Sequence, residues 1–143
     1  MKINIYISSS VKGLRRQNGV VAFILELEGK KDCTLTQFGT VEQVTENESY
    51  LRAFKHALMR LTKKCDLSVW TDNAYMAAAF EQGWLYSWIE NDWKNAKGRA
   101  VKNRSEWEEI AKLLNGTVPE FHVKESHTFK QWLTSETERR AKK

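Results

Sequence analysis

Apolar and polar residues alternate from Lys2 to Ser8, with Ile3, Ile5 and Ile7 on one side and Asn4 and Tyr6 on the other. That is the period of a strand. Ser8-Ser9-Ser10 ends the run, and a basic loop with Lys12, Arg15 and Arg16 closes at Asn18-Gly19, a pair suited to a turn. Val20 to Leu27 and Cys33 to Val41 read as two further strands around a turn at Gly29-Lys30, which predicts an antiparallel meander. From Thr45 to about Lys63 the spacing changes to that of a helix. Leu51, Phe54, Ala57, Leu58 and Leu61 share one face, and Thr45 with Glu48 fits a capping box. Leu67 to Thr71 is a short apolar strand ending at Asp72, parallel to the first if the helix is a crossover. Helical patterns follow at 73–81, about 84–91 and about 105–114. Val118 to Val123 is a fifth strand, which Pro119 makes either an edge strand or one that begins late, and a helix over 128–142 closes the chain. The order β-β-β-α-β-α-α-α-β-α, with no repeat and no linker, predicts one α/β domain over residues 1–143.

A content of 41% hydrophobic and 29% charged residues is that of a soluble globular protein. No apolar run approaches the roughly 20 residues of a membrane span, and Met1-Lys2-Ile3-Asn4-Ile5 opens a strand rather than a signal peptide. The expectation is a cytoplasmic monomer without membrane attachment. Cys33 and Cys65 have no metal-ligand spacing and read as reduced thiols. A net charge of +5 points modestly towards nucleic acid. Its placement says more: Lys94, Lys97, Arg99, Lys102 and Arg104 fall in a stretch without acids, and Arg139, Arg140, Lys142 and Lys143 end the chain. A solvated loop and tail is the plain alternative.

Asp72 stands at the C-terminal end of a strand, where α/β sheets place their sites. It is either a working carboxylate or the cap of a helix beginning at Asn73. Trp70, Trp84, Trp88 and Trp107 read as packing residues, and Trp93, beside Lys94 and Lys97, as the tryptophan for binding. His56 belongs to a helix surface, His122 to a strand, and His127 to a loop.

Several motifs together resemble the ribonuclease H family. Val69-Trp70-Thr71-Asp72-Asn73-Ala74-Tyr75 is similar to its strand-four motif (hydrophobic-Tyr-Thr-Asp-Ser-x-Tyr). Trp84 to Ile89, Trp93-Lys94-Asn95 and Val101 to Trp107 look like its Gly-Trp-Lys-Thr and Val-Lys-Asn-x-x-Leu-Trp landmarks, and Val123 to His127 its Val-Lys-Gly-His loop. The resemblance implies a five-stranded mixed sheet, three strands antiparallel and two parallel, with helices on both faces. It also implies two divalent metals held by four carboxylates and cleavage of the RNA strand of an RNA–DNA hybrid. Two Mg²⁺ about 4 Å apart need several negative ligands.

Carried over one at a time, the first acid position (Tyr-Thr-Asp-Gly-Ser) falls on Ser8 in Tyr6-Ile7-Ser8-Ser9-Ser10. The second (Thr-Asn-Asn-x-x-Glu) falls on Tyr50, and the third is Asp72. The fourth (Asp-x-x-Ala) offers Glu138 with a one-residue shift counted from His127, or Thr137 without it. Glu46, one turn before Tyr50, is a possible substitute ligand. The resemblance thus makes Asp72 and Glu138 the catalytic and metal-binding residues, His127 an aid to product release, and Mg²⁺ or Mn²⁺ a weakly held cofactor. For nucleic acid it implies Thr45, Asn47, Asn73, Trp93, Lys94, Lys97, Arg99, Lys102 and Asn103. Ala74 and the rewritten loop from Val11 to Arg16 depart from its pattern. The expected function is binding of RNA–DNA hybrid or duplex RNA, with cleavage lost or weak. The alternatives are an active nuclease using Asp72, Glu138 and Glu46, and a protein-interaction module on the same fold.

Overall fold

The isoleucine stripe of the first strand lies at the centre of the sheet. In the computed structural model, which describes residues 1–30 and 33–142, ten elements follow one another. They are β1 (Lys2–Ser9), β2 (Gln17–Leu27), β3 (Thr34–Val44), α1 (Glu46–Met59), β4 (Asp66–Thr71), α2 (Ala74–Glu81), α3 (Trp84–Glu90), α4 (Arg104–Leu114), β5 (Glu120–Val123) and α5 (Lys130–Ala141). The strand order is β3-β2-β1-β4-β5. β1 pairs antiparallel with β2 and parallel with β4, while β5 lies parallel to β4 at the edge. This is the expected five-stranded mixed sheet. Lys143 lies outside the described residues.

Alternation along β1 sends Ile3, Ile5 and Ile7 to one face, where they meet Leu51, Phe54 and Ala57 of α1, Met76 of α2 and Trp107 and Ile110 of α4. Tyr6 faces the other side with Ala22 and Ile24, under Leu133 of α5. Both sides of β1 are therefore covered, which explains its burial from Ile3 to Ser9. Among the described residues, no helix is long and apolar enough to cross a membrane.

Four local expectations change. Asn18-Gly19 is not a turn but part of β2, at a shift in the pairing with β3. The Asn18 side chain accepts the Gln43 N–H at 2.9 Å. Gly19 is small because a Cβ there would come within 2.6 Å of both Ser10 Oγ and Val11 Cγ2. Helix α1 ends at Met59 rather than near Lys63, with the N–H of Arg60 tightening onto the carbonyls of Ala57 and Leu58. The capping box is half formed. Thr45 accepts the Glu48 N–H at 3.3 Å, but the Glu48 carboxylate pairs with Arg16 and Arg52, each at 3.2 Å. Two nearby cations attract it more than a neutral N–H would. Lastly, Trp84 is 42% exposed instead of belonging to the core. The short α3 buries Leu85 and part of Trp88, and Trp88 packs on Trp107 at 5.8 Å between ring centroids.

Candidate functional site

The parallel register of β1 and β4 pairs Tyr6 with Trp70. Two residues further on, the strand ends bring Ser8 and Asp72 to the same crevice, on the side covered by α5. Lys130 and Thr134 from the first two turns of α5 complete it, with His127 and Glu125 from the preceding loop. Tyr50 approaches from α1. It is 1% exposed, and its hydroxyl is pushed upward, first by burial and then by the charges of Asp72 and Glu46. Three positions derived by resemblance (Ser8, Tyr50 and Asp72) thus converge in space.

Glu138 does not join them. It is exposed on α5, one turn and about 6 Å beyond Thr134. Helix α5 begins at Lys130 rather than at 128, and its first two turns, through Lys130 and Thr134, are the ones presented to Asp72. Thr137, the other register, is buried and returns its hydroxyl to the Leu133 carbonyl at 2.6 Å. Glu46 is also engaged elsewhere: its carboxylate accepts the Gly13 N–H at 2.8 Å and tethers the basic loop after β1.

Asp72 has a partner that sequence reasoning missed. The Lys130 ammonium donates to Asp72 Oδ1 at 3.1 Å and to the Glu125 carbonyl at 3.3 Å. One signal was available, a lysine opening a helix whose first turn holds no acid, against the sense of the helix dipole. Asp72 is not the cap of α2. Asn73 is, accepting the Met76 N–H at 2.9 Å while its amide donates to Asn47 at 2.8 Å.

His127 is held rather than loose. Its ring lies 4.4 Å from that of Tyr6, and Nδ1 accepts the Phe129 N–H at 3.2 Å. Burial first, then the Lys130 charge, lowers its pKa to about 4, so the imidazole is neutral near pH 7. The donor set here does not fit a two-metal centre. One Asp72 oxygen is taken by an ammonium, Ser8 and Thr134 add no charge, and Glu125 turns its carboxylate to His122 at 3.2 Å. Among the described residues, no three His, Cys, Asp or Glu side chains gather as metal ligands.

The basic segment is better organised than its sequence suggests. Asp92 and Trp93 take left-handed φ values of 55° and 60°, and Lys94 bridges Ala100 across a tight loop. Asn95 Oδ1 accepts the N–H groups of Lys97 and Arg99 at 2.9 and 3.1 Å. Lys94, Lys97, Arg99 and Lys102 are exposed, whereas Trp93 is half-buried against the core. Between this loop and α1 runs a groove of about 230 Å³, lined by Asn47, Tyr75, Trp88, Asn95, Lys102 and Asn103. Its floor is fixed by Trp107 Nε1 donating to the Tyr75 hydroxyl at 3.0 Å. Asn103 precedes α4 without a capping hydrogen bond from its side chain, and Thr45 caps α1 near the same end.

Comparison with known proteins places this geometry. The family model described as RNase H matches residues 1–131. The chain is similar to ribonuclease H of Chlorobaculum parvum, 30% identical over 130 residues that cover 91% of this chain and 86% of the relative. It resembles the crystal structure of a type 1 RNase H with the type 2 active-site motif, with a TM-score of 0.70 at 19% identity, covering 98% of this chain and 70% of that one. A foamy viral protease–reverse transcriptase in complex with RNA/DNA hybrid gives a TM-score of 0.71 at 13% identity, covering 99% of this chain and 19% of that one. At these identities the two structures speak to fold alone.

Proposed function

The chain belongs to the ribonuclease H family, and from that premise we propose that it binds RNA–DNA hybrid or duplex RNA, with metal-dependent cleavage lost or weak. The observation that carries this reading is an ordered basic loop and polar groove beside a crevice where Asp72 is already paired with an ammonium. Lys94, Lys97, Arg99 and Lys102 neutralise backbone phosphates and release their counterions. Thr45, Asn47 and Asn103 carry polar groups of the kind that read 2′-hydroxyls across a wide minor groove. Asn73 acts through Asn47, whose carbonyl it holds.

The chemical half of the family's function needs charge that this crevice lacks. With Ser8 and Tyr50 at two acid positions, Asp72 would have to hold two divalent cations almost alone. The crevice therefore serves the backbone as a shaped, nearly neutral surface.

Fluorescence anisotropy with labelled RNA–DNA hybrid, duplex RNA and duplex DNA across a salt series tests the proposal. Binding of hybrid or duplex RNA that weakens linearly on a log–log salt plot is expected. Failure to bind any of the three at low salt refutes it.

A further inference from the structure

Lys130 is unusual in three independent respects. It opens α5 at the positive end of the helix dipole, where a cation is disfavoured and where the first turn has no acid to compensate. Its ammonium sits on Asp72, in a crevice whose other strand-end residue, Ser8, is neutral. And among the described residues two partners occupy two of the three N–H donors of a lysine, leaving one unspent on a side chain that is 32% exposed. An ion pair formed only to stabilise the fold would gain little at this exposure.

From this geometry we infer that Lys130 is a built-in cation occupying the metal's place, one that neutralises Asp72 and gives its remaining N–H to a backbone phosphate of the bound nucleic acid. The proposal rests on the nucleic-acid binding above and deepens it by assigning a phosphate contact within the crevice itself. Asp72 is then a positioning residue, holding the ammonium by charge as the Glu125 carbonyl holds it by hydrogen bonding. His127 fits the same arrangement. It is neutral near pH 7 and packed on Tyr6, so it walls the crevice without adding a second charge. A fixed ammonium also repels a divalent ion from the Asp72 oxygens, so phosphate binding here should not require metal.

Anisotropy with labelled RNA–DNA hybrid, in EDTA and in millimolar Mg²⁺ across a salt series, tests this with wild type, Lys130→Met, Lys130→Arg and Asp72→Asn. Expected are equal wild-type affinities in EDTA and Mg²⁺ at matched ionic strength. Lys130→Met should bind several-fold more weakly, with a salt slope reduced by about one contact, and Lys130→Arg should recover most of the loss. Asp72→Asn, which removes the charge that holds the ammonium in place, should shrink the loss caused by Lys130→Met when the two are combined, and fully additive losses would deny Asp72 its positioning role. Wild-type binding that needs Mg²⁺, or a Lys130→Met variant with unchanged affinity and slope, overturns the assignment while leaving the function above intact. Absence of wild-type binding in every condition overturns both. Circular dichroism and thermal melting establish that each variant is folded.

Discussion

Tyr50 is where this chain and its family's acid pattern differ most in physical consequence. Its ring is fully buried under the crevice, and the charges of Asp72 and Glu46 already disfavour an anion there. Tyr50→Glu should therefore destabilise the protein by about 3 kcal/mol or more, since it buries a carboxylate among carboxylates. Tyr50→Phe should cost about 1 kcal/mol; urea unfolding of the two variants checks both. His127 carries a pH signature. Its pKa is 6.5 when unfolded and about 4 in the fold, so between those values the unfolded chain binds a proton that the folded one refuses. Stability contributed by neutral His127 is present above about pH 6.5 and lost as pH falls towards about 4. His56, also lowered by burial and by Lys55, acts in the same direction. His127→Gln should flatten part of the fall in urea midpoint between pH 7 and pH 4.5, and an unchanged fall would contradict the assignment. At Gly19, Ala should cost about 1–3 kcal/mol through the clash with Ser10 and Val11.

At the scale of elements, the basic loop is the part most open to test. Its cations are exposed on a loop held by its own hydrogen bonds, so replacing them removes charge without removing support. Each of Lys94→Ala, Lys97→Ala and Lys102→Ala should lower the salt slope by about one and leave the melting temperature nearly unchanged. A large loss of stability with no change in slope would assign the loop to packing. The same scale shows how much was legible beforehand. All ten elements follow from period and turn chemistry, because the core is split cleanly by alternation in β1 and by the apolar face of α1. Asn18-Gly19 misled because the same small residue that permits a turn also permits the close approach of Ser10 and Val11. The placement of α5 misled more seriously. One cannot count from His127 to a helical acid without knowing that the helix starts at Lys130, and a lysine near a helix start reads as surface until Asp72 is seen beside it. Trp84 reads as a packing residue from its type, yet α3 is too short to bury more than one flank.

For the whole molecule, the sheet brings the ends of β1 and β4 together, as a metal-dependent nuclease of this family requires, while the side chains there are Ser8 and a neutralised Asp72. On the proposed reading, this chain keeps the family's fold while its chemistry is lost or weak. On that reading the groove lined by Asn47, Tyr75 and Asn103 and the cations beside it receive a duplex, while among the described residues no three His, Cys, Asp or Glu side chains gather to hold a metal. Trp107 anchors the groove to the core: it is 0% exposed, packs on Phe80 and Trp88, and holds Tyr75 in the groove. Trp107→Ala should cost about 3–5 kcal/mol and weaken binding along with stability, which melting curves and anisotropy on the same preparation would show. The central claim, binding without metal-dependent cleavage, is tested most directly by incubating labelled RNA–DNA hybrid with saturating protein in Mg²⁺ or Mn²⁺ and following bound fraction and strand length in one sample. The account predicts a bound and uncut hybrid. Cleavage that is present in wild type and abolished by Asp72→Asn would contradict it.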